Sequence, residues 1–303
     1  MILVVGSTGY LGGEITRRLR DRGLPVRALV RPTSNRAAVK HLIELGAEPA
    51  EGDLREPESL RRAVQGATAV VSTATVTRSR QPGETLESTD QQGQANLIDA
   101  AREAKLDHFV FVSVSGQIGS ADPLTMAKRD NEARLRKSGI GYTILRPSYF
   151  MESWLGPHLG FDYPNRRATI YGDGSAPISW IALGDVAEFA VLSLTGSSAR
   201  NQILELGGPE ALSPNQVVRL FEQASGDRFD VQYVPVSALE AQRAGAKDSM
   251  EQAFASLMLA YAKGDSISME ATLARHPVSL TSVEDYAGRV LAESRRADHA
   301  IRH

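Results

Sequence analysis

The chain has 303 residues, 42% apolar and 23% charged, which suffices for one large α/β domain and a smaller one. A formal net charge of −2 supplies no overall field for nucleic acid or an anionic membrane. The absence of cysteine excludes disulfides, thiolate catalysis and zinc–thiolate sites. The six histidines (41, 108, 158, 276, 299 and 303) show no metal-ligand spacing, so no metal is expected. His299 and His303 fall in a charged tail. No apolar stretch reaches the ~20 residues of a membrane span. Residues 1–20 read as a folded motif and not as a signal peptide, and a cytoplasmic setting fits.

The first thirteen residues organise the rest. Residues 2–5, Ile-Leu-Val-Val, read as a buried parallel strand. Gly6, Gly9 and Gly12 follow at spacings of three, and Ile15, Leu19 and Leu24 then repeat as in a helix, with Arg17, Arg18, Arg20 and Arg22 between them. Strand, glycine turn and helix make a phosphate-binding device: glycine lets the backbone turn sharply and approach a pyrophosphate, while the helix start offers free N–H groups. The spacing is G-x-x-G-x-x-G, not G-x-G-x-x-G, so position and context carry the reading, against a plain tight turn.

Residues 25–30 read as the second strand, ending at Arg31. An NAD site places an acid about 20 residues beyond the glycines, on the ribose hydroxyl. Here Arg31 stands there, with Arg36 and Lys40 beyond. A guanidinium matches a 2′-phosphate and a carboxylate would repel it, so NADP(H) is expected over NAD(H). The plain alternative is a solvated loop arginine.

Residues 35–46 look helical, with Gly46 as a stop. A third strand at 47–51 leads to Gly52-Asp53-Leu54, and a helix to 57–64. Residues 67–72 form strand four, 73–83 a polar turn, 86–104 a long helix and 109–112 strand five, ending at Ser113. A small-residue loop at 116–123 and a helix at 126–137 follow. Residues 142–145 are strand six, stopping at Arg146-Pro147. This alternation predicts an α/β fold with a doubly wound parallel sheet. Ligands in such sheets bind beyond the carboxyl ends of the strands. That rule selects Gly6, Thr8, Gly9, Tyr10, Leu11 and Gly12, Arg31, Asp53 and Leu54, Thr73, Ala74 and Thr75, Ser113 to Gly116, and Arg146, Pro147, Ser148, Tyr149 and Phe150. Asp53 and Leu54 either frame an adenine, or Asp53 caps the next helix.

Beyond residue 150 the pattern loosens. Phe150, Met151, Trp154 and Leu155, with Glu152 and His158, either line a pocket or form core. Asp185 most simply caps a helix over 186–194. Residues 203–206 read as a returning strand, Ser213-Pro214 opens a helix to about residue 224, 231–234 is a small-domain strand, 236–263 is mostly helical, and 281–294 is a final amphipathic helix.

Several of these stretches together resemble the NmrA-like family of atypical short-chain dehydrogenases/reductases, related to the isoflavone reductase-like enzymes. They are the glycine motif, Arg31, Gly52-Asp53-Leu54, residues 109–113, Lys128-x3-Glu132-x2-Leu135-x2-Ser138-Gly139-x2-Tyr142-Thr143-Ile144-Leu145-Arg146-Pro147, and Ile181-x3-Asp185-Val186-Ala187. The resemblance covers residues 1–210 well. It implies a Rossmann domain over 1–150, with 181–208 returning to it, and a smaller substrate-binding domain from 151–180 and 209–303. It also implies NADP(H) across the strand ends, held by the residues above together with Arg36 and Lys128. Family reductases carry a catalytic lysine before strand six, and Lys128 matches it. The usual Tyr-x-x-x-Lys is broken, because Leu124 stands where the tyrosine belongs, and leucine donates no proton. Tyr149 is the substitute acid candidate, with a wall residue as its plain alternative; for Lys128 that alternative is a pairing with Glu132 one turn on.

Three functions follow from the resemblance. The first is an NADPH-dependent reductase acting on a small carbonyl, enone or quinone. The second is a non-catalytic redox sensor acting through a regulatory protein partner. The third is an epimerase-like or assembly-factor protein using NADP structurally. A homodimer remains open, and neither nucleic acid nor membrane is an expected direct partner.

Overall fold

The computed structural model describes the chain except residues 78–80, 82, 120–121 and 302–303 and the side chains of 297–301. The expected turn at 73–83, the loop at 116–123 and the histidine tail therefore lie partly outside the described residues, His303 and the His299 side chain among them. Seven parallel strands form the main sheet in the order β3-β2-β1-β4-β5-β6-β9. They are β1 (Ile2–Val5), β2 (Val26–Val30), β3 (Glu48–Glu51), β4 (Ala69–Ser72), β5 (His108–Val112), β6 (Gly141–Pro147) and β9 (Gln202–Leu206). The order reverses direction between β1 and β4, which opens a crevice at their carboxyl ends.

Both faces of the sheet are covered, so the central strands β1, β4 and β5 are apolar apart from Ser72 and His108. Ile2 and Val4 face a core shared with helices α1 (Tyr10–Asp21) and α7 (Leu183–Thr195). Leu3 and Val5 face the opposite core, shared with α3 (Pro57–Ala63), α4 (Gln92–Glu103) and α5 (Pro123–Lys137). Arg18 of α1 and Arg22, which caps its end, each reach Glu188 of α7 at 2.6 Å. The helix expected over 86–104 is two pieces, a π-helical turn at Leu86–Gln91 running into α4. Such turns insert an extra residue into the helical ladder and are frequent at functional sites.

The sequence pattern missed two strands. A second sheet has the order β10-β8-β7, from β7 (Phe161–Asp162), β8 (Arg167–Tyr171) and β10 (Asp230–Val234). It lies over an aromatic core containing Tyr149, Trp180, Phe221 and Tyr261. Helix α8 (Pro214–Ser225) starts as expected, with Ser213 and Gln216 forming a reciprocal capping box. Helix α10 (Ser249–Lys263) follows α9 (Val236–Ala244) and places Ala253 in a cluster with Leu124 of α5, Val76 of the loop after β4 and Leu86 of the π-helical turn. Met269, just before α11 (Glu270–Arg275), joins the core of the main sheet, as do Leu273 and Leu280. The last helix, α12 (Val283–Ile301), starts and ends later than its apolar pattern suggests.

Asp185 does not cap α7. Ala182 holds that position, and the Asp185 carboxylate accepts the backbone N–H (2.8 Å) and hydroxyl (3.0 Å) of Thr281, tying the chain before α12 to the main sheet's helix.

Candidate functional site

The glycine turn leaves β1 at Val5. Gly6 has φ +84, a left-handed conformation that glycine adopts freely. A β-carbon there would lie 2.6 Å from Thr73 Oγ1 and 2.9 Å from the Ala74 nitrogen, so the end of β4 presses directly on the turn. A β-carbon on Gly12 would lie 2.2 Å from the Gly6 carbonyl oxygen. Both glycines are therefore required by close backbone approach. Gly9 caps α1 with no side-chain bond, and the first turn holds no acidic residue. The first N–H groups of α1 thus face no anionic side chain of their own helix, the electrostatics an anionic group needs. Thr8 and Leu11 are half-buried and Tyr10 is exposed. Ser7 donates to the Leu29 carbonyl (2.9 Å), fixing the turn against β2.

Beyond β2, Arg31 is not a plain solvated loop residue: its guanidinium pairs with Glu84, whose side chain is almost fully buried. Asp53 is buried and gripped by Arg55, at 2.7 and 3.0 Å. That hydrogen bond holds the Asp53 carboxyl below the ordinary carboxylate range, although burial opposes it. The cap of α3 falls to Glu56, so the capping alternative for Asp53 is overturned. Leu54 is buried between β2 and α4 and abuts Gly93, where a β-carbon would come within 2.8 Å of it. Arg36 opens α2 (Arg36–Glu44) and is exposed, as is Lys40, which pairs with Glu44 at 3.6 Å.

After β4, Thr73 donates its backbone N–H to the Val5 carbonyl at 3.0 Å. Gln94 of α4 clamps the same loop. Its side chain accepts from Ser72 Oγ (2.9 Å) and donates to the Ala74 carbonyl (3.0 Å). The Thr75 and Thr77 hydroxyls lie 3.3 Å apart.

Lys128 sits in the middle of α5, almost wholly buried. Its Nζ lies 3.3 Å from Asp90 Oδ1 and 5.3 Å from the centre of the Phe111 ring. Asp90 belongs to the π-helical turn, is fully buried, and accepts the Val76 N–H through Oδ2 at 2.9 Å. The i,i+4 pairing with Glu132 is not formed. Glu132 instead accepts from Ser113 Oγ at 2.5 Å and from Arg129 at 2.6 Å, and pairs with Arg146. Burial works against the Glu132 charge, yet these arginines and the serine hold its carboxyl below the ordinary range. Arg146 reaches onward to Glu205 of β9 at 2.9 Å, and Glu205 accepts the Gly116 N–H at 2.9 Å. This network locks the loop after β5 to α5, β6 and β9.

Leu124, one turn before Lys128, is buried in the apolar cluster with Val76, Leu86 and Ala253. The position that would carry the usual tyrosine is therefore a packing contact. Tyr149 is also buried. Its hydroxyl donates to the Leu257 carbonyl (3.1 Å), and its ring meets Trp154 edge-on at 4.9 Å and Tyr261 at 5.8 Å. Burial, reinforced by Asp265, raises its pKa far above the ordinary phenol value. Tyr149 is thus packed as a member of the aromatic core. Pro147 ends β6, buried Ser148 donates its N–H to the Leu206 carbonyl (2.8 Å), and Phe150 precedes α6 (Met151–Trp154) and bridges to Ile181.

Sequence reasoning missed three acids. Glu84 lies in the loop after β4 and Asp90 in the π-helical turn that follows it, and nothing local in the sequence marks Arg31 or Lys128 as their partners. Asp265, almost fully buried, accepts from Ser115 Oγ at 2.8 Å and joins the segment after α10 to the end of β5. A shallow depression of about 400 Å³ lined by Pro209, Met269 and Leu280 contains none of the predicted site residues. Among the described residues no cluster of acids and histidines suits a metal, and no helix is long and apolar enough to cross a membrane.

A doubly wound sheet with a glycine turn, an arginine at the end of β2 and a lysine on α5, all at the carboxyl ends of the strands, defines a dinucleotide-site architecture. The model of the NmrA-like family matches residues 1–287, and the chain belongs to that family. An NAD(P)H azoreductase of Xenophilus azovorans is 33% identical over 263 residues, 85% of each chain. The photosystem II assembly factor Ycf39 of Cyanophora paradoxa is 33% identical over 243 residues, covering 80% of this chain and 74% of the relative. Among solved structures, the NADPH-dependent quinone oxidoreductase QOR2 of Escherichia coli, complexed with NADPH, superposes with a TM-score of 0.78 at 21% identity, over 96% of this chain and 100% of the other.

Proposed function

We propose that the protein is an NADP(H)-dependent reductase of small carbonyl, enone or quinone acceptors. The observation that carries the reading is the glycine turn, whose Gly6 and Gly12 leave room only for backbone and whose helix start faces no acid of its own first turn. Such a turn suits a pyrophosphate, and Arg31 beyond it suits a 2′-phosphate. NADPH, when bound, supplies a hydride. The chain's own part is to bind, orient and charge the site. The N–H groups around Gly9 to Gly12 take the pyrophosphate, Arg31 the 2′-phosphate, and Asp53 with Leu54 the adenosine end. Lys128 is the catalytic residue, an ammonium placed to polarise an acceptor oxygen directly or through water. Asp90 is its positioning residue, and the Phe111 ring face adds attraction to the cation. No tyrosine is needed for an acceptor such as a quinone, whose reduction demands little acid assistance. The name of the azoreductase relative supports the class.

A second reading draws on the burial of Leu124 and on the pairing of Lys128 with Asp90. In it the chain binds the dinucleotide without turnover and signals through a protein partner, which agrees with the name of the assembly-factor relative. Purified protein titrated with NADPH and NADH, then assayed for NADPH oxidation against a panel of quinones and enones, separates the two. Turnover on any acceptor, lowered strongly by Lys128→Ala with NADPH affinity retained, supports the reductase. Tight binding with no turnover across the panel favours the second reading. Equal affinities for NADPH and NADH, unchanged by Arg31→Glu, refute the role of Arg31.

A further inference from the structure

The acid absent from the end of β2 reappears there from elsewhere in the chain. Glu84, 53 residues beyond Arg31, brings its carboxylate onto the Arg31 guanidinium from the loop after β4. Its side chain is 2% exposed against 23% for that of Arg31, so the carboxylate lies on the inner side of the pair. The Gln81 N–H donates to its other oxygen at 2.6 Å, and this holds the carboxylate in place. The Asp53–Arg55 pair lies within its electrostatic reach: the Glu84 charge helps raise the Arg55 pKa, after the larger effect of the Asp53 hydrogen bond, and the Arg31 charge helps lower that of Asp53. Two ion pairs thus lie within electrostatic reach of each other near the end of β2, where the ribose end of a dinucleotide is expected. Asp53 is committed to Arg55 through both oxygens, whereas Glu84 is committed to the very group assigned to the phosphate.

We propose that Glu84 sets the coenzyme preference of this site by occupying Arg31 when no 2′-phosphate is present. The inference rests on the assignment of Arg31 to the 2′-phosphate. A 2′-phosphate must take Arg31 from a carboxylate that is nearly buried, and like charge raises the cost of its entry. A coenzyme without that phosphate leaves the pair intact and places its ribose hydroxyls beside an acceptor carboxylate, the arrangement that an acid at the end of β2 provides in NAD sites. Glu84 therefore weakens NADPH and favours NADH, and holds an otherwise NADP-directed arginine to a moderate preference.

The test is Glu84→Gln in the full chain, which keeps an acceptor for the Gln81 N–H while removing the charge. Dissociation constants are measured for NADPH, NADH, 2′,5′-ADP and 5′-AMP, with Arg31→Ala alongside. The expected result is about tenfold tighter binding of NADPH and 2′,5′-ADP, equivalent to about 1.4 kcal/mol. NADH and 5′-AMP should hold steady or weaken. Parallel changes in phosphorylated and unphosphorylated ligands, or an unchanged ratio, overturn the proposal. If Arg31→Ala leaves the preference for 2′,5′-ADP over 5′-AMP intact, the assignment of Arg31 fails and the Glu84 proposal with it. If Arg31→Ala removes the preference and Glu84→Gln does not move it, only the role of Glu84 fails. Glu84→Ala, read by the same ligand ratio, covers the case in which glutamine folds poorly.

Discussion

Gly12 and Gly13 are neighbours on α1, yet alanine should act on them in opposite directions. A β-carbon at Gly12 would sit 2.2 Å from the Gly6 carbonyl oxygen, 2.6 Å from its carbon and 3.0 Å from Ser7 Cα, all backbone atoms. Ordinary contact needs roughly 3.5 Å, so α1 and the turn must part by about 1 Å. Overpacking of that kind costs about 1–3 kcal/mol, while replacing a helical glycine returns about 1 kcal/mol of propensity. Gly12→Ala should therefore lose up to ~2 kcal/mol of stability. It should also bind NADPH at least about tenfold more weakly, because the helix start moves away from the pyrophosphate. At Gly13 the added carbon meets only the Ser7 carbonyl oxygen at 3.4 Å, an ordinary contact. Gly13→Ala should keep most of the propensity gain and raise the melting temperature by about 2 °C. Thermal denaturation by circular dichroism and NADPH titration by fluorescence read both variants. A Gly12→Ala protein as stable as Gly13→Ala, with unchanged affinity, would refute the close-approach argument.

Other changes test the buried charges. Asp90→Asn leaves Lys128 buried without its counter-charge and should cost ~3–5 kcal/mol in urea unfolding. Asp90→Asn with Lys128→Met should recover most of it, and additive losses would argue against a coupled pair. Arg146→Lys puts a single ammonium where a guanidinium spans Glu132 and Glu205, and a loss of ~1–2 kcal/mol is expected by the same assay. His108 is buried, which, with the charge of Arg200, lowers its pKa to about 4. The unfolded chain then binds the proton more tightly, so this contribution is complete above about pH 6.5 and fades as the pH falls toward 4. At ~1.36 kcal/mol per pH unit it amounts to about 3–3.5 kcal/mol at most. Urea midpoints of His108→Gln should show a shallower loss across that window, and an identical slope would sink the assignment.

Features governed by a few consecutive residues were legible in the chain alone. The turn at Gly6 is one, because a left-handed φ and a tight strand-to-helix junction need glycine whatever lies around them. The capping box at Ser213 and Gln216 is another, and so is the run of apolar strands, which a sheet covered on both faces requires. Arg31 could be placed at the end of β2 by counting from the glycines. Its partner could not, since nothing local links residue 31 to residue 84.

The same limit explains Lys128. Helical spacing offers Glu132 as its neighbour, and both side chains are buried on α5. Burial raises the cost of an imperfect pairing, so each goes to the partner the fold aims at it: Asp90 for the lysine, and Arg129, Arg146 and Ser113 for the glutamate. Strands β7 and β8 escaped notice because β7 is two residues long and β8 pairs with β10, some sixty residues on. Backbone conformation obeys short-range sterics and hydrogen bonds, which a sequence carries openly. Which charge meets which, and whether Tyr149 and Leu124 face a ligand or a core, depends on distant segments being packed to a common density, and that is settled only when the whole chain has folded.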